Sequence, residues 1–128
     1  MKTLFASICL LFSSFFSCQQ KGGSFESLSV GDFADVISDP DVQRLDVRTV
    51  AEYSEGHIPG SVNVNVLDES FAAVADSVLQ PSRPVALYCR SGKRSKKVAR
   101  ILSEKGFKVY ELSTGFNGWI EAGQTVEK

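Results

Sequence analysis

The chain has almost no net charge. Its 128 residues contain 14 Lys+Arg against 15 Asp+Glu, which gives a formal net charge of −1. A balance this close to neutral argues against a general nucleic-acid-binding protein, which needs excess positive charge to neutralise phosphates. With 43% hydrophobic and 23% charged residues, the chain is not collagen-like, disordered or coiled-coil. The composition therefore predicts one globular domain whose core needs neither a metal nor a disulfide.

The chain also lacks an apolar run long enough to cross a membrane. A spanning helix needs about 20 residues, whereas the uncharged run from Leu4 to Phe16 is shorter. This run follows the positively charged start at Met1-Lys2 and precedes Ser17-Cys18, an order typical of an export signal. The predicted division is a signal peptide at 1–17, a linker at 18–25 and a folded domain at 26–128.

Cys18 raises two possibilities for how the signal is processed. The segment resembles that of bacterial lipoproteins, in which a short apolar stretch and a small residue precede a cysteine that is lipidated and becomes the mature N-terminus. Phe15-Phe16 departs from that pattern, so a plain secretory signal cut near Gly22 to Ser24 is the alternative. Both routes export the protein to the periplasm or cell envelope. A lipid on Cys18 is the only membrane attachment expected.

Cys89 is the one free cysteine expected after processing, because Cys9 leaves with the signal and Cys18 carries the lipid. Exported proteins usually pair their cysteines or avoid them, so an unpaired thiol beside Arg90 is a candidate for chemistry. The alternative is a buried, inert cysteine, since Val85 to Tyr88 directly before it is apolar.

The residues after Cys89 favour chemistry. Val85 to Tyr88 is a short apolar run that predicts a buried strand, and the spacing of Val98, Ile101 and Leu102 predicts a helix from Ser95 to Lys105. Ligands bind at such strand-to-helix loops in open α/β sheets. A helix N-terminus with nearby Arg or Lys lowers a cysteine pKa from about 8.5 toward neutrality. The loop therefore predicts a reactive thiolate and an anionic ligand.

Basic residues are concentrated around this loop. The segment from Arg83 to Lys108 contains nine basic residues and one acidic residue, Glu104. This local excess supports the handling of an anion there.

The rest of the chain alternates between helix and strand patterns. Predicted helices lie at 30–37 (capped by Ser29), 51–55, 69–79 and 118–122, predicted strands at 43–47, 62–66 and 107–112, with a turn at 56–60 and a loop at 113–117. The alternation implies an α/β fold with a mainly parallel sheet and helices on both faces.

Four motifs in order resemble a single-domain rhodanese, a sulfurtransferase. They are Leu45-Asp46-Val47-Arg48; Glu52-Tyr53 with Gly56-His57-Ile58-Pro59-Gly60-Ser61 and Asn63; Tyr88-Cys89-Arg90-Ser91-Gly92-Lys93-Arg94-Ser95; and Gly115 to Trp119. The resemblance covers about Phe25 to Lys128 and implies a rhodanese-like fold. In this family the loop cysteine takes a sulfane sulfur from a donor such as thiosulfate, becomes a persulfide and passes the sulfur to a thiophilic acceptor.

The resemblance also implies roles and partners. Cys89 matches the nucleophile, Arg90, Lys93 and Arg94 match donor-binding side chains, and the backbone N–H groups of Ser91, Gly92 and the residues through Ser95 match the cradle for the anion. The implied partners are a small anionic sulfur donor and a thiol, cyanide or protein thiol acceptor, with no nucleic acid, no metal and no cofactor. Val66 and Ser113-Thr114 depart from the family pattern, and both lie outside the cysteine loop.

His57, Asp46 and Arg48 are expected to support the site structurally. A reaction that starts from a preformed thiolate needs no histidine base, so we expect His57 to make structural hydrogen bonds; a proton shuttle is the alternative. Asp46 and Arg48 lie two residues apart at a strand end and share a face. They are expected to form a structural ion pair, and orienting the loop is the alternative.

Two rival functions remain. A phosphatase of the related fold has a cysteine, five residues and then an arginine, whereas Arg94 follows Cys89 after four and Ser95 occupies the arginine's place. The shorter loop leaves less room for a tetrahedral oxyanion. A non-catalytic rhodanese-like binding module usually lacks the loop cysteine, which is present here. The sequence therefore favours sulfur transfer.

Overall fold

Helices and strands alternate through residues 24–128, which are the residues that the computed structural model describes. The strands are β1 (Glu26–Leu28), β2 (Gln43–Asp46), β3 (Val62–Asn63), β4 (Val85–Tyr88) and β5 (Val109–Leu112). The helices are α1 (Val30–Ile37), α2 (Val50–Glu55), α3 (Phe71–Val78), α4 (Lys93–Glu104) and α5 (Gly115–Glu121). The predicted signal peptide, Cys18 and most of the predicted linker lie outside the described residues.

The five strands form one parallel sheet in the order β1-β5-β4-β2-β3. All four residues of the central strand β4 are buried, as is usual for a parallel strand covered on both faces. The carboxyl ends of the strands lie along one edge of the sheet, and the loop that follows β4 is at the centre of that edge. The predicted α/β fold is confirmed.

The two faces of the sheet have separate apolar cores, because successive strand residues point to opposite sides. One core joins the sheet to α3 and α4 through Leu45, Val47, Phe71, Ala75, Val85, Leu87, Cys89, Val98, Ala99 and Leu102. The other joins it to α1 and α5 through Phe33, Ile37, Ala86, Tyr88, Leu112, Phe116 and Trp119. The predicted covering of both faces by helices is therefore confirmed.

Local capping signals start two of the helices. The Ser29 hydroxyl accepts a hydrogen bond from the Asp32 N–H at 3.3 Å, so the predicted cap of α1 is confirmed. Thr49 and Glu52 form a reciprocal capping box at the start of α2. Within residues 24–128, the helices are too short or too polar to cross a bilayer.

The predicted loop at 113–117 is wrong, because α5 already begins at Gly115. The Phe116 N–H donates to the Cys89 carbonyl at 2.8 Å, and the Asn117 N–H donates to the Arg90 carbonyl at 3.0 Å. The first turn of α5 is therefore held by the loop after β4, a contact that has no local sequence signal.

Other element boundaries differ from the predictions in smaller ways. The edge strand β1 was not predicted, because its three residues are mostly exposed and lack an apolar pattern. The predicted strand at 62–66 ends at Asn63, although the N–H groups of Val64 and Val66 still donate to carbonyls at the end of β2. Helix α4 starts at Lys93 rather than Ser95, and α3 starts at Phe71 rather than Glu69.

Candidate active site

The loop that carries Cys89 connects the central strand β4 to α4. Gly92 ends this loop with a φ of 104°, in the left-handed region that favours glycine. A Cβ atom at Gly92 would also overlap the carbonyl oxygen of Ser113. Glycine is therefore required for the tight turn that brings the first N–H groups of α4 around the sulfur.

The Cys89 thiol is buried and hydrogen-bonded within its own loop. Its side chain has 0% exposure, and Sγ accepts a hydrogen bond from the Gly92 N–H at 3.1 Å. The thiol donates to the Ser95 hydroxyl, with Sγ 3.4 Å from Oγ. A sulfur donor can therefore reach Sγ only after neighbouring groups shift.

The pKa of Cys89 is lower than that of an ordinary thiol. Burial alone would raise this pKa, but the hydrogen bond with the Ser95 side chain and those from the backbone N–H groups of Ser95, Gly92 and Ser91 together outweigh it. These donors stabilise the thiolate, which is the nucleophilic form of cysteine.

The arginines predicted to bind the donor lie beside a carboxylate. Arg94 forms an ion pair with Glu52 at 3.0 Å, and Arg90 Nη1 lies 4.0 Å from the same carboxylate. The hydrogen bond from Arg94, opposed in part by burial, lowers the pKa of Glu52 to about 2. The Arg90 side chain is 66% exposed, and Lys93 is exposed as well. The structure thus brings together Arg90 and Arg94, while Lys93 points to solvent.

A cavity of about 280 Å³ lies beside the loop. Its lining combines charged and apolar groups: Arg48, Glu52, Glu55, Gly56, Arg90, Phe116, Asn117 and Ile120. Phe116 and Arg90 connect this cavity to the cysteine loop, because the Phe116 N–H is bonded to the Cys89 carbonyl. A small molecule bound there would lie next to the reactive loop.

Asp46 and Arg48 form a buried ion pair, and Arg48 lines this cavity. Arg48 Nη2 lies 2.7 Å from Asp46 Oδ2 and also donates to the Gly56 carbonyl at 2.7 Å. The guanidinium carbon lies 4.2 Å from the centre of the Phe116 ring. Burial alone would lower the pKa of Arg48, but the hydrogen bond and charge of Asp46 raise it overall, so the guanidinium remains charged.

His57 contacts the turn and the C-terminal residues. Its ring stacks on Tyr53 with the ring centres 3.7 Å apart, and Nδ1 lies 2.9 Å from the Tyr53 carbonyl oxygen. Nε2 lies 3.3 Å from Oε2 of Glu127, whose backbone pairs with that of His57. The ring is therefore engaged by these neighbours and not by the sulfur. Its structural role remains a prediction.

Sequence reasoning missed the carboxylate of Glu111, which lies behind the loop. This side chain has 0% exposure and accepts hydrogen bonds from the hydroxyls of Ser95 and Ser27, each at 2.6 Å. An acidic residue inside an otherwise apolar strand was the available signal, because buried carboxylates are rare without partners. Glu52 was also given no role, although the Thr49–Glu52 capping-box spacing marked it.

Residues 29–122 match the family described as Rhodanese-like domain. The chain is 35% identical over 100 residues to the thiosulfate sulfurtransferase GlpE of Shewanella oneidensis, covering 77% of this chain and 96% of that relative. It is 30% identical over 113 residues to the thiosulfate:glutathione sulfurtransferase of Saccharomyces cerevisiae, covering 78% and 81%.

A solved structure supports the same relationship. The rhodanese-related protein from Thermoplasma volcanium superposes with a TM-score of 0.69 at 27% identity, covering 80% of this chain and 98% of that one. The fold, the cysteine loop at the carboxyl edge of the central strand and the sequence matches agree. The chain belongs to the rhodanese-like family.

Proposed function

We propose that this protein is a sulfurtransferase that moves a sulfane sulfur from a small anionic donor such as thiosulfate to a thiol or cyanide acceptor. The proposal rests chiefly on the hydrogen bond of 3.1 Å from the Gly92 N–H to Cys89 Sγ, in a loop at the start of α4 that lowers the pKa of the thiol. The relatives whose names describe thiosulfate sulfurtransferases support it.

Loading begins with attack by the Cys89 thiolate on the outer sulfur of thiosulfate. A new S–S bond forms from the thiolate electron pair, and the S–S bond of thiosulfate breaks so that sulfite leaves with its pair. The product is a persulfide anion on Cys89. The N–H of Gly92 and the N-terminus of α4 stabilise negative charge at this place.

Unloading reverses the exchange with a different partner. An acceptor thiolate or cyanide attacks the outer sulfur of the persulfide, and Cys89 leaves as a thiolate. In each step one S–S bond breaks and one new bond to sulfur forms, first to Cys89 and then to the acceptor. The chemistry therefore calls for no metal or cofactor. The cavity beside the loop provides a place for a small acceptor.

The donor is bound by positive charge near the loop. Arg90 is exposed, while Arg94 is paired with Glu52. An incoming dianion therefore either shares Arg94 with Glu52 or displaces the Glu52 carboxylate from Arg94. The same geometry disfavours the phosphatase alternative. Four residues separate Arg94 from Cys89, one fewer than in the phosphatase loop. The Arg94 side chain also binds the Glu52 carboxylate and is not free to contact a phosphoryl group.

Intact-mass spectrometry after treatment with thiosulfate tests the proposal. We expect the wild-type protein to gain one sulfur atom and to lose it when cyanide or a thiol is added. The matched control is Cys89→Ser, which is nearly isosteric but cannot hold a transferable sulfur. It should fold as judged by circular dichroism, gain no sulfur and show no turnover. A wild-type protein that gains no sulfur, or a Cys89→Ser protein that transfers sulfur, would refute the proposal.

We further propose that the protein acts outside the cytoplasm, in the periplasm or cell envelope, with a lipid on Cys18. The positively charged start, the apolar run and Ser17-Cys18 support this location.

A further inference from the structure

The hydroxyl of Ser95 lies between two acceptors but has one proton to donate. Its Oγ is 3.4 Å from Cys89 Sγ and 2.6 Å from Glu111 Oε2. The shorter contact directs the proton to Glu111, and the hydroxyl then accepts from the thiol. A cysteine that donates to Ser95 is in its protonated form.

The Glu111 carboxylate lies among hydrogen-bond donors. Three donors face it: the hydroxyl of Ser27 on one oxygen, and the hydroxyl of Ser95 and the ammonium of Lys96 on the other, the last at 3.3 Å. The carboxylate is buried, while the Lys96 side chain is 42% exposed and also donates to the Gly92 carbonyl. A buried carboxylate needs such donors, so the short hydrogen bond from Ser95 to Glu111 is expected to persist.

The other charged groups near the sulfur lie beside partners of opposite charge, with Arg90 and Arg94 both at Glu52. From α4, Arg94 interacts electrostatically with Cys89 and binds Glu52 of α2. From β2, Asp46 is neutralised by Arg48. Glu111 on β5 is thus the buried carboxylate in direct hydrogen-bond connection with the sulfur, through Ser95.

We propose that Glu111 is a positioning residue that competes with Cys89 for the proton of the Ser95 hydroxyl and so disfavours the free thiolate. The strongest single hydrogen bond to the thiolate would come from the Ser95 side chain. Because Glu111 also accepts the Ser95 proton, that bond is weakened.

The effect of this competition on the reaction rests on the proposed sulfur transfer. When Cys89 carries a second sulfur, the negative charge lies on the outer atom, one S–S bond farther from Ser95 and Glu111. The competition then opposes charge on the free thiolate more than charge on the persulfide. Glu111 therefore favours the sulfur-loaded form over the free thiolate.

The test is a pH titration of the Cys89 thiolate by its ultraviolet absorbance, taken as the difference between each full-length protein and its Cys89→Ser counterpart. In Glu111→Gln, the side-chain amide can donate to the Ser95 oxygen, so the Ser95 hydroxyl can donate its proton to the sulfur. In Glu111→Asp, the charge remains but the carboxylate is one methylene too short to hold Ser95. We expect the titration midpoint to fall by about one pH unit or more in both variants.

The Asp variant separates competition for the proton from a simple effect of charge. If the midpoint falls in Glu111→Gln and not in Glu111→Asp, the carboxylate acts through space and the inference is overturned. An unchanged or higher midpoint in both variants overturns it as well. If Glu111→Gln does not fold, the midpoint of Glu111→Asp decides the matter alone.

Ser27→Ala is the matched control, because it removes a hydroxyl at the same 2.6 Å distance from the other oxygen of Glu111. We expect no fall of the midpoint in this variant, and a fall equal to that of Glu111→Gln would contradict the role of Ser95. The titration needs no sulfur donor. A protein that showed the expected shifts but no transfer of sulfur would refute the proposed function and leave the proton competition standing.

Discussion

Arg94 holds Glu52 by two parallel contacts, with Nη1 3.0 Å from Oε1 and Nη2 3.1 Å from Oε2. The two residues are 42 positions apart in the chain, on α4 and α2, and the pair lies beside the cysteine loop. An arginine expected to bind an anionic donor is therefore already occupied by an internal anion. Donor binding at Arg94 is a competition between two negative groups.

Removal of Arg94 should weaken the use of thiosulfate. Charge-assisted hydrogen bonds to an anion contribute about 1.5–3 kcal/mol, so Arg94→Ala should lower kcat/KM by roughly ten- to hundred-fold. Steady-state formation of thiocyanate from thiosulfate and cyanide measures this. Arg100→Ala removes an exposed charge from the same helix, farther from the loop, and should have little effect. Equal activities of the two variants would argue against donor binding by Arg94.

The Glu52–Arg94 pair should stabilise the fold in a pH-dependent way. The pKa of Glu52 is lowered from 4.5 to about 2, so the pair contributes stability above about pH 4.5 and loses it as the pH falls toward 2. Glu52→Gln retains a residue that suits the capping box and should lower the free energy of unfolding near neutral pH by about 1 kcal/mol. Urea titrations at neutral and acid pH should show that this difference shrinks on acidification. Glu55→Gln, on the same helix, is the control, and a difference independent of pH would contradict the prediction.

Gly115 should tolerate no side chain. Its φ is 66°, and a Cβ atom there would overlap the carbonyl of Arg90. Gly115→Ala should therefore destabilise the protein by about 1–3 kcal/mol, through strain and displacement of the cysteine loop. Gly31→Ala is the matched control, since a Cβ atom at Gly31 meets nothing within 4 Å. If chemical denaturation gave equal stabilities for the two variants, the close packing of α5 on the loop would be in doubt.

Aryl phosphates should be poor substrates of the wild-type protein. The loop is one residue shorter than that of the related phosphatases, and Arg94 is directed at Glu52. Parallel assays of aryl phosphate hydrolysis and thiocyanate formation decide the point. Faster hydrolysis than sulfur transfer would require both the loop-length argument and the proposed function to be withdrawn.

Cys18→Ala should prevent attachment of lipid. Cells grown with labelled fatty acid should incorporate label into the wild-type protein and into Cys9→Ala, the matched control within the predicted signal. The Cys18→Ala protein should remain unlabelled and appear as a soluble or unprocessed form. Label on Cys18→Ala would contradict lipidation at Cys18 and indicate a different site of modification, and an unlabelled wild-type protein would favour a plain secretory signal.

Much of the fold was predictable because its signals are local. The Ser29 cap, the buried strand Val85–Tyr88 and the amphipathic pattern of α4 each depend on neighbouring residues, and the structure confirms all three. The edge strand β1 was not predictable in this way. It is a strand because its backbone pairs with β5, more than 80 positions later, and its own residues carry little pattern.

Local patterns are enough to specify the strand, tight turn and helix that surround Cys89, since a glycine, an apolar run and a helical repeat lie within a few residues of it. The carboxylates of Glu52 and Glu111 reach this loop only through tertiary packing. They come from α2 and β5, and whether a charged side chain faces solvent, an arginine or a buried serine depends on which elements pack together. The same is true of the first turn of α5, which is helical because its N–H groups meet the carbonyls of the cysteine loop.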